Sequence, residues 1–357
     1  MSSQPETLSA YDATTASHID LLHGLVAIPS LSGEEANAVN YLVGEMKARG
    51  FDAHVDRAGN AVGVIGDGPV KIVLLGHIDT VPGDIPVRVL DGVLHGRGSV
   101  DAKGPLATFV AAAAEASGRN ATITVVGAVG EEAIGSLGAH EVATWPAPDL
   151  CIIGEPSSWD ALCLGYRGTI SFTYRLKQAG RHTAGPGESV GELGVLFWNT
   201  LLAEILMLSG DAEGYNSIGA SLRSINTSTD GLYDTVEMSI GIRIPPSVPS
   251  ERVLTILESI RDDGEIELHG VQEGYSTDKK NPMTPPFLRA IRAQGGNPRF
   301  TRKLGTADMT VVGPVWKCPI VAYGPGDASL DHTPEERIDL DNYLRAVRVL
   351  TSVLNDL

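Results

Sequence analysis

Three apolar runs each deliver an ionisable side chain at their C-terminal end, and this feature constrains the fold more than any other. Lys71-Ile-Val-Leu-Leu-Gly-His ends on His77, Val125-Val-Gly-Ala-Val-Gly leads into Glu131-Glu132, and Leu150-Cys-Ile-Ile-Gly leads into Glu155. Short, β-branched runs of this kind predict buried strands. Between and around them lie helical patterns, the alanine-rich 106–116 and 137–143. Alternating strands and helices imply an α/β sheet with helices on its faces, so side chains at strand ends are held rigidly at a crevice. Asp101, in Gly96-Arg-Gly-Ser-Val-Asp-Ala-Lys-Gly, has glycine on both sides. The backbone there can bend sharply and aim one short carboxylate into a shared site.

Upstream, Ile19, Leu22, Leu25 and Val26 mark an amphipathic helix, and Ser32-Gly-Glu-Glu35 reads as a capping box before Ala38, Val39, Leu42, Val43 and Met46, with Gly50 as the stop. Beyond Leu164 the texture changes. Thr169-Ile-Ser-Phe-Thr-Tyr-Arg-Leu alternates, a helical pattern covers 193–208, and 236–244 alternates again. The predicted fold is therefore α/β, a catalytic domain (1–164 and 276–357) with a mostly parallel mixed sheet between helices, plus a smaller inserted α+β domain (165–275). Pro282, Pro285 and Pro286 precede a helix in the returning segment, and the chain finishes on another.

The ionisable residues form a set that suits two metal ions. Each Zn²⁺ of a co-catalytic pair takes about four or five N/O donors, solvent included. His77, Asp101, the Glu131-Glu132 pair and Glu155 supply the first of them, and His332, in Gly324-Pro-Gly-Asp-Ala-Ser-Leu-Asp-His-Thr-Pro, is the later candidate. Asp327 and Asp331 are neighbouring acids that could be mistaken for a ligand. Asp79 is spaced to accept the ring N–H of His77 and orient it. Singly, these acids would serve as turn or cap residues and the Glu pair as a solvated helix start; the set in this order reads as a metal site. Adjacent glutamates diverge, so one carboxylate can face a metal while its neighbour faces water.

The pattern resembles the di-zinc amidohydrolases that include acetylornithine deacetylase, succinyl-diaminopimelate desuccinylase, aminoacylase and carboxypeptidase G, over nearly the whole chain. The resemblance implies two Zn²⁺ per subunit, with Co²⁺ or Mn²⁺ able to substitute. One ion would take His77 and Glu155, the other Glu132 and His332, with Asp101 bridging and Glu131 as general base. It further implies a homodimer in which the insert acts as lid and dimerisation domain. His182 would stabilise the oxyanion, reaching in from a partner subunit in dimeric members, Arg243 would hold a substrate carboxylate, and Gly305, Thr306 and Asp308 would line the substrate pocket, where the family's more usual Ser is Ala307. The segments Gly305-Thr-Ala-Asp-Met and Tyr323-Gly-Pro-Gly-Asp-Ala-Ser-Leu-Asp-His-Thr-Pro most resemble the hydrolases that release lysine or ornithine from the γ-glutamyl end of an amino-group carrier protein. Deacetylation of acetylornithine or acetylcitrulline, or desuccinylation, is the alternative. A metal-binding scaffold without activity is a third reading, and the intact Glu131 argues against it.

Charge bears on the partner. With 27 basic residues against 44 acids the net charge is −17, which argues against nucleic acid or an anionic membrane as a partner. Residues 279–303 run the other way. Lys279, Lys280, Arg289, Arg292, Arg299, Arg302 and Lys303 occur there without an acid, which suits an acidic carrier protein or an anionic small substrate. The composition, 43% hydrophobic and 20% charged, is that of a soluble globular protein. Residues 1–10 have neither a basic start nor an apolar core, which points to the cytoplasm. Cys151, Cys163 and Cys318 lack zinc-finger spacing and read as reduced core thiols.

Overall fold

The computed structural model describes residues 12–116, 120–182 and 184–357, so the segment read for a leader, 1–10, lies outside the described residues. In chain order the elements are α1 (Ala13–Val26), α2 (Ala36–Ala48), β1 (Asp52–Val55), β2 (Ala61–Ile65), β3 (Val70–His77), β4 (Arg88–Leu90), β5 (Val93–His95), α3 (Lys103–Glu115), β6 (Ala121–Ala128), α4 (Leu137–Ala143), β7 (Leu150–Gly154) and β8 (Ala161–Tyr166). There follow β9 (Gly168–Ala179), α5 (Val190–Ser209), β10 (Gly219–Thr229), β11 (Tyr233–Ile244), α6 (Ser250–Ile260), β12 (Glu265–Gln272) and β13 (Tyr275–Ser276). The chain closes with α7 (Thr284–Ala293), β14 (Arg299–Lys303), α8 (Met309–Trp316), β15 (Ile320–Ala322), β16 (Arg337–Asp339) and α9 (Leu340–Asp356).

These elements cluster into two units. The first runs to Gly165 and resumes over Thr277–Thr301 and Ala307–Leu357; the second holds Tyr166–Ser276 and Arg302–Thr306. The sequence reading assigned 302–306 to the catalytic part, and hydrogen bonding explains why the segment sits with the second unit. Arg167 donates its backbone N–H to the Gly305 carbonyl (3.0 Å) and Nε to the Leu304 carbonyl (3.0 Å), and the Thr306 hydroxyl donates to the Arg167 carbonyl (3.1 Å).

In the first unit the sheet order is β1-β2-β6-β3-β7-β15-β8. The inner strands β6, β3, β7 and β15 are parallel, and antiparallel pairs flank them. Such strands, covered on both faces, can be apolar along their whole length, as the Ile72–Leu75 and Cys151–Ile153 runs are. Helix α3 buries every residue from Lys103 to Ala113. Glycine at the strand ends admits it: a Cβ on Gly154 would stand 2.9 Å from the Phe109 ring, below van der Waals contact. A separate three-stranded sheet, β16-β5-β4, pairs Ile338 with Leu94 and so ties the segment after His332 to the loop before Asp101. Cys151 and Cys163 are buried and Cys318 half-buried, all as free thiols.

The second unit is an antiparallel sheet, β10-β11-β9-β12, with its own core. The alternation of β9 puts Ile170, Phe172 and Tyr174 inward. Helix α5 opens on a capping box formed by Ser189 and Glu192 and lays Phe197, Leu201 and Ile205 against that core, with the Phe197 and Tyr174 rings stacked at 3.7 Å. By length and composition α5 would suit a membrane span. One face of it packs on the sheet through Phe197, Leu201 and Ile205, and the opposite face exposes Val195, Leu196, Leu202, Leu206 and Met207.

Candidate metal centre

His77 ends β3 and Glu155 immediately follows β7, neighbours in the parallel sheet, so the two side chains emerge side by side. His77 Nε2 lies 3.2 Å from Asp101 Oδ1 and 4.0 Å from Glu155 Oε1. The other oxygen, Asp101 Oδ2, lies 3.0 Å from His332 Nε2, which in turn lies 2.9 Å from Glu132 Oε1. The two oxygens of one carboxylate thus face two different imidazoles, each with its own flanking glutamate. Ligand atoms of His77, Asp101 and Glu155 fall within 4.8 Å of one another, as do those of Asp101, Glu132 and His332, and those of His77, Glu131 and Glu132.

The loop carrying Glu131 and Glu132 is fixed through its backbone. Four successive N–H groups donate to side-chain oxygens: Val129 to Asn60 (3.0 Å), Gly130 to Glu35 (3.1 Å), and Glu131 and Glu132 to the two oxygens of Asp79 (3.1 and 3.0 Å). Asp79 also accepts from the Ser32 hydroxyl at 2.7 Å. His77 Nδ1 lies 3.1 Å from the Asp79 carbonyl oxygen and 3.4 Å from its Oδ1, so residue 79 orients the ring with backbone and side chain together. The capping box expected at Ser32-x-x-Glu35 does not form. Helix α2 starts at Ala36 without a side-chain cap, because Ser32 and Glu35 are both committed to the glutamate loop and its support. Asn60, Glu35 and Ser32 are the residues sequence reasoning missed, and a capping signature immediately ahead of the site was the misread signal.

Electrostatics set the protonation pattern. Burial raises Glu131 and Glu155 well above the usual carboxylate range, and neighbouring acids add to it. Burial also opposes ionisation of Asp101, but hydrogen bonds from His332 and His77 hold it below its ordinary value. Asp101 and Glu132 push His332 up to about 10. Burial opposes the charged form of His77, yet Asp101 and Asp79 raise it well above an ordinary imidazole. Asp79, Asp101, Glu131, Glu132 and Glu155 gather around two imidazoles, and ionising the raised Glu131 and Glu155 there needs added positive charge. Divalent cations fit this need, and the mixture of imidazole nitrogen and carboxylate oxygen suits Zn²⁺, Co²⁺ or Mn²⁺.

The remaining candidate residues fall elsewhere. Asp308 belongs to the first unit, 2% exposed, with neither carboxylate oxygen hydrogen-bonded, and burial pushes it up to about 7. His182 is exposed in the second unit, its Nδ1 accepting the Ala184 N–H (3.1 Å). Arg243 donates to the Thr306 hydroxyl, and Gly305 is exposed beside it. Asp327 caps the turn before His332 through the Ser329 N–H (2.9 Å), a local role. The acid-free basic run is not an unpaired stripe in the fold. Distant acids reach it, Asp356 for Arg289 and Asp160 for Arg299, while Arg302 stacks over Tyr215.

Comparison with known proteins places the chain among known families. A family model described as peptidase family M20/M25/M40 matches residues 73–356. A [LysW]-lysine hydrolase of Deinococcus radiodurans is 45% identical over 95% of this chain and 96% of its own. A [LysW]-lysine/[LysW]-ornithine hydrolase of Sulfurisphaera tokodaii is 27% identical over 95% of each. Among solved structures, a Staphylococcus aureus tripeptidase superposes with a TM-score of 0.78 at 17% identity, over 96% of this chain and 98% of that one. A Bacillus subtilis dinuclear metal-binding peptidase does so with 0.70 at 14%, over 96% and 98%. The chain belongs to peptidase family M20/M25/M40, a family of metal-dependent hydrolases.

Proposed function

We propose that this enzyme releases lysine, ornithine or a related diamino acid from the γ-glutamyl end of an amino-group carrier protein. The observation that carries the metal-dependent part is Asp101, whose two oxygens face His77 and His332. The names of the relatives above support the carrier as substrate.

In this reading His77 and Glu155 would hold one Zn²⁺ and Glu132 and His332 the other, with Asp101 offering one oxygen towards each pair. Bound there, the ions would supply Lewis acidity for the amide carbonyl and a water of lowered pKa. Glu131, whose backbone is tied to Asp79, takes the proton of the attacking water and gives it to the departing α-amino nitrogen as the amide C–N bond breaks. Arg243, braced by Thr306 beside Gly305, would hold the carboxylate of the released amino acid, and Asp308 is the substrate-binding candidate of the first unit. His182 donates to the oxyanion. Activity is expected to vanish on chelation and to return with two equivalents of Zn²⁺ per chain. Reconstitution should tighten as pH rises from 6 towards 9, because His332, held protonated by Asp101 and Glu132, must lose its proton to bind an ion. Full activity in the chelated protein would rule the metal reading out.

We further propose a cytoplasmic homodimer formed through the second unit, serving as a dimerisation and lid domain. The exposed apolar face of α5 and the edge strand β10 are surfaces of the kind that a second copy covers. Leu206→Glu with Met207→Glu is expected to convert a two-chain species into a one-chain species in sedimentation. A one-chain mass for the unaltered protein would refute the dimer. Exposed Lys279, Lys280 and Arg292 would meet an acidic carrier.

A further inference from the structure

Asp79 steadies His77 and the Glu131-Glu132 loop, and a second buried acid does the corresponding work for the loops of Asp101 and His332. Glu336 is 0% exposed. Its Oε1 accepts the backbone N–H of Val100 (3.0 Å) and of Asp101 (3.1 Å), and its Oε2 accepts from Arg97 Nη1 (2.7 Å). Its own carbonyl takes the Gly96 N–H at 3.4 Å. Arg97 reaches further, with Nε to the Gly83 carbonyl (3.0 Å) and Nη1 to the carbonyl of Thr333 (3.3 Å), the residue after His332. One carboxylate and one guanidinium therefore join the loop that carries Asp101 to the loop that carries His332.

His332 needs such a brace. Its φ of +60° is a left-handed conformation that non-glycine residues seldom adopt unless their surroundings impose it. Its side chain is 51% exposed, so packing alone does not fix the ring. What holds residue 332 is its backbone, through the Arg97 bond to Thr333 on one side and, beyond Glu336, the pairing of β16 with β5. An acid is required at 336 because the group must accept two N–H bonds on one oxygen and a guanidinium on the other. Glutamine could take the N–H pair but would turn an NH₂ towards Arg97.

We propose that Glu336, acting with Arg97, is a positioning residue that sets the Asp101–His332 separation and thereby the affinity for the ion shared by Asp101, Glu132 and His332. This rests on the two-ion reading above. The test is a calorimetric titration of metal-free protein with Zn²⁺, comparing the unaltered chain with Glu336→Gln and Arg97→Lys, the latter keeping the charge but not the forked donors. Glu336→Gln is expected to bind one equivalent about 10- to 100-fold more weakly, the range seen when a residue that orients a ligand is lost, and the other with a smaller loss, because Asp101 serves both but His77 and Glu155 keep their places. Arg97→Lys should shift the weakened equivalent in the same direction by less. If Glu336→Gln does not fold, as judged by its melting curve, Arg97→Lys decides alone. Unchanged affinity for both equivalents, or equal weakening of the two, overturns the assignment. Fewer than two equivalents bound by the unaltered chain would instead defeat the two-ion reading itself.

Discussion

Glu131→Gln is expected to lower kcat by about 10³- to 10⁴-fold, the upper part of the range for losing a general base, while both ions stay bound. The substitution keeps the size of the side chain and leaves the backbone bond to Asp79 intact, so the loop should not move. Only the proton-accepting oxygen is lost. Glu131 does stand within ligand distance of His77 and Glu132, which makes the metal content of the variant informative. Loss of one ion from Glu131→Gln would make Glu131 a ligand, and the base would have to be sought elsewhere.

Asp101→Ala should be the more damaging change to the centre. Because one oxygen faces His77, beside Glu155, and the other faces His332, beside Glu132, removing the carboxylate would strip a donor from both proposed ions. Metal content is expected to fall below one ion per chain, and turnover with it, whereas Glu155→Ala should release one ion and spare the other. The loss in affinity should exceed the roughly 10- to 100-fold typical of removing a supporting residue. Elemental analysis of the purified variants reads this directly. Two ions retained by Asp101→Ala would show that the carboxylate does not bridge.

The clustering of these side chains is legible in the sequence because the candidate ligands sit where strands end. His77 and Glu155 lie at the ends of β-branched runs, and a buried parallel strand leaves its next side chain little freedom of position. Glu131-Glu132 reads similarly, after 125–130. What stays hidden is support from distant chain. Ser32 and Glu35 carry a valid capping pattern, and only the fold shows that their oxygens are taken by Asp79 and Gly130. Glu336 is one of two adjacent acids on a sequence that looks like surface, yet it is buried under Arg97. The basic run shows the converse for Arg289 and Arg299. Local sequence lacks acids there, and Asp160 and Asp356 arrive from elsewhere in the chain.

The most direct test of the account is the release of free lysine and ornithine by the zinc-loaded enzyme from two substrates in parallel, the aminoacylated carrier protein and the N-acetylated amino acid, each at low and high salt. The account predicts a kcat/KM larger by orders of magnitude for the carrier, with a KM that rises with salt for the carrier alone as charge attraction is screened. Preference for the acetylated amino acid would contradict it, leaving the metal chemistry in place but assigning the enzyme to small-molecule deacetylation.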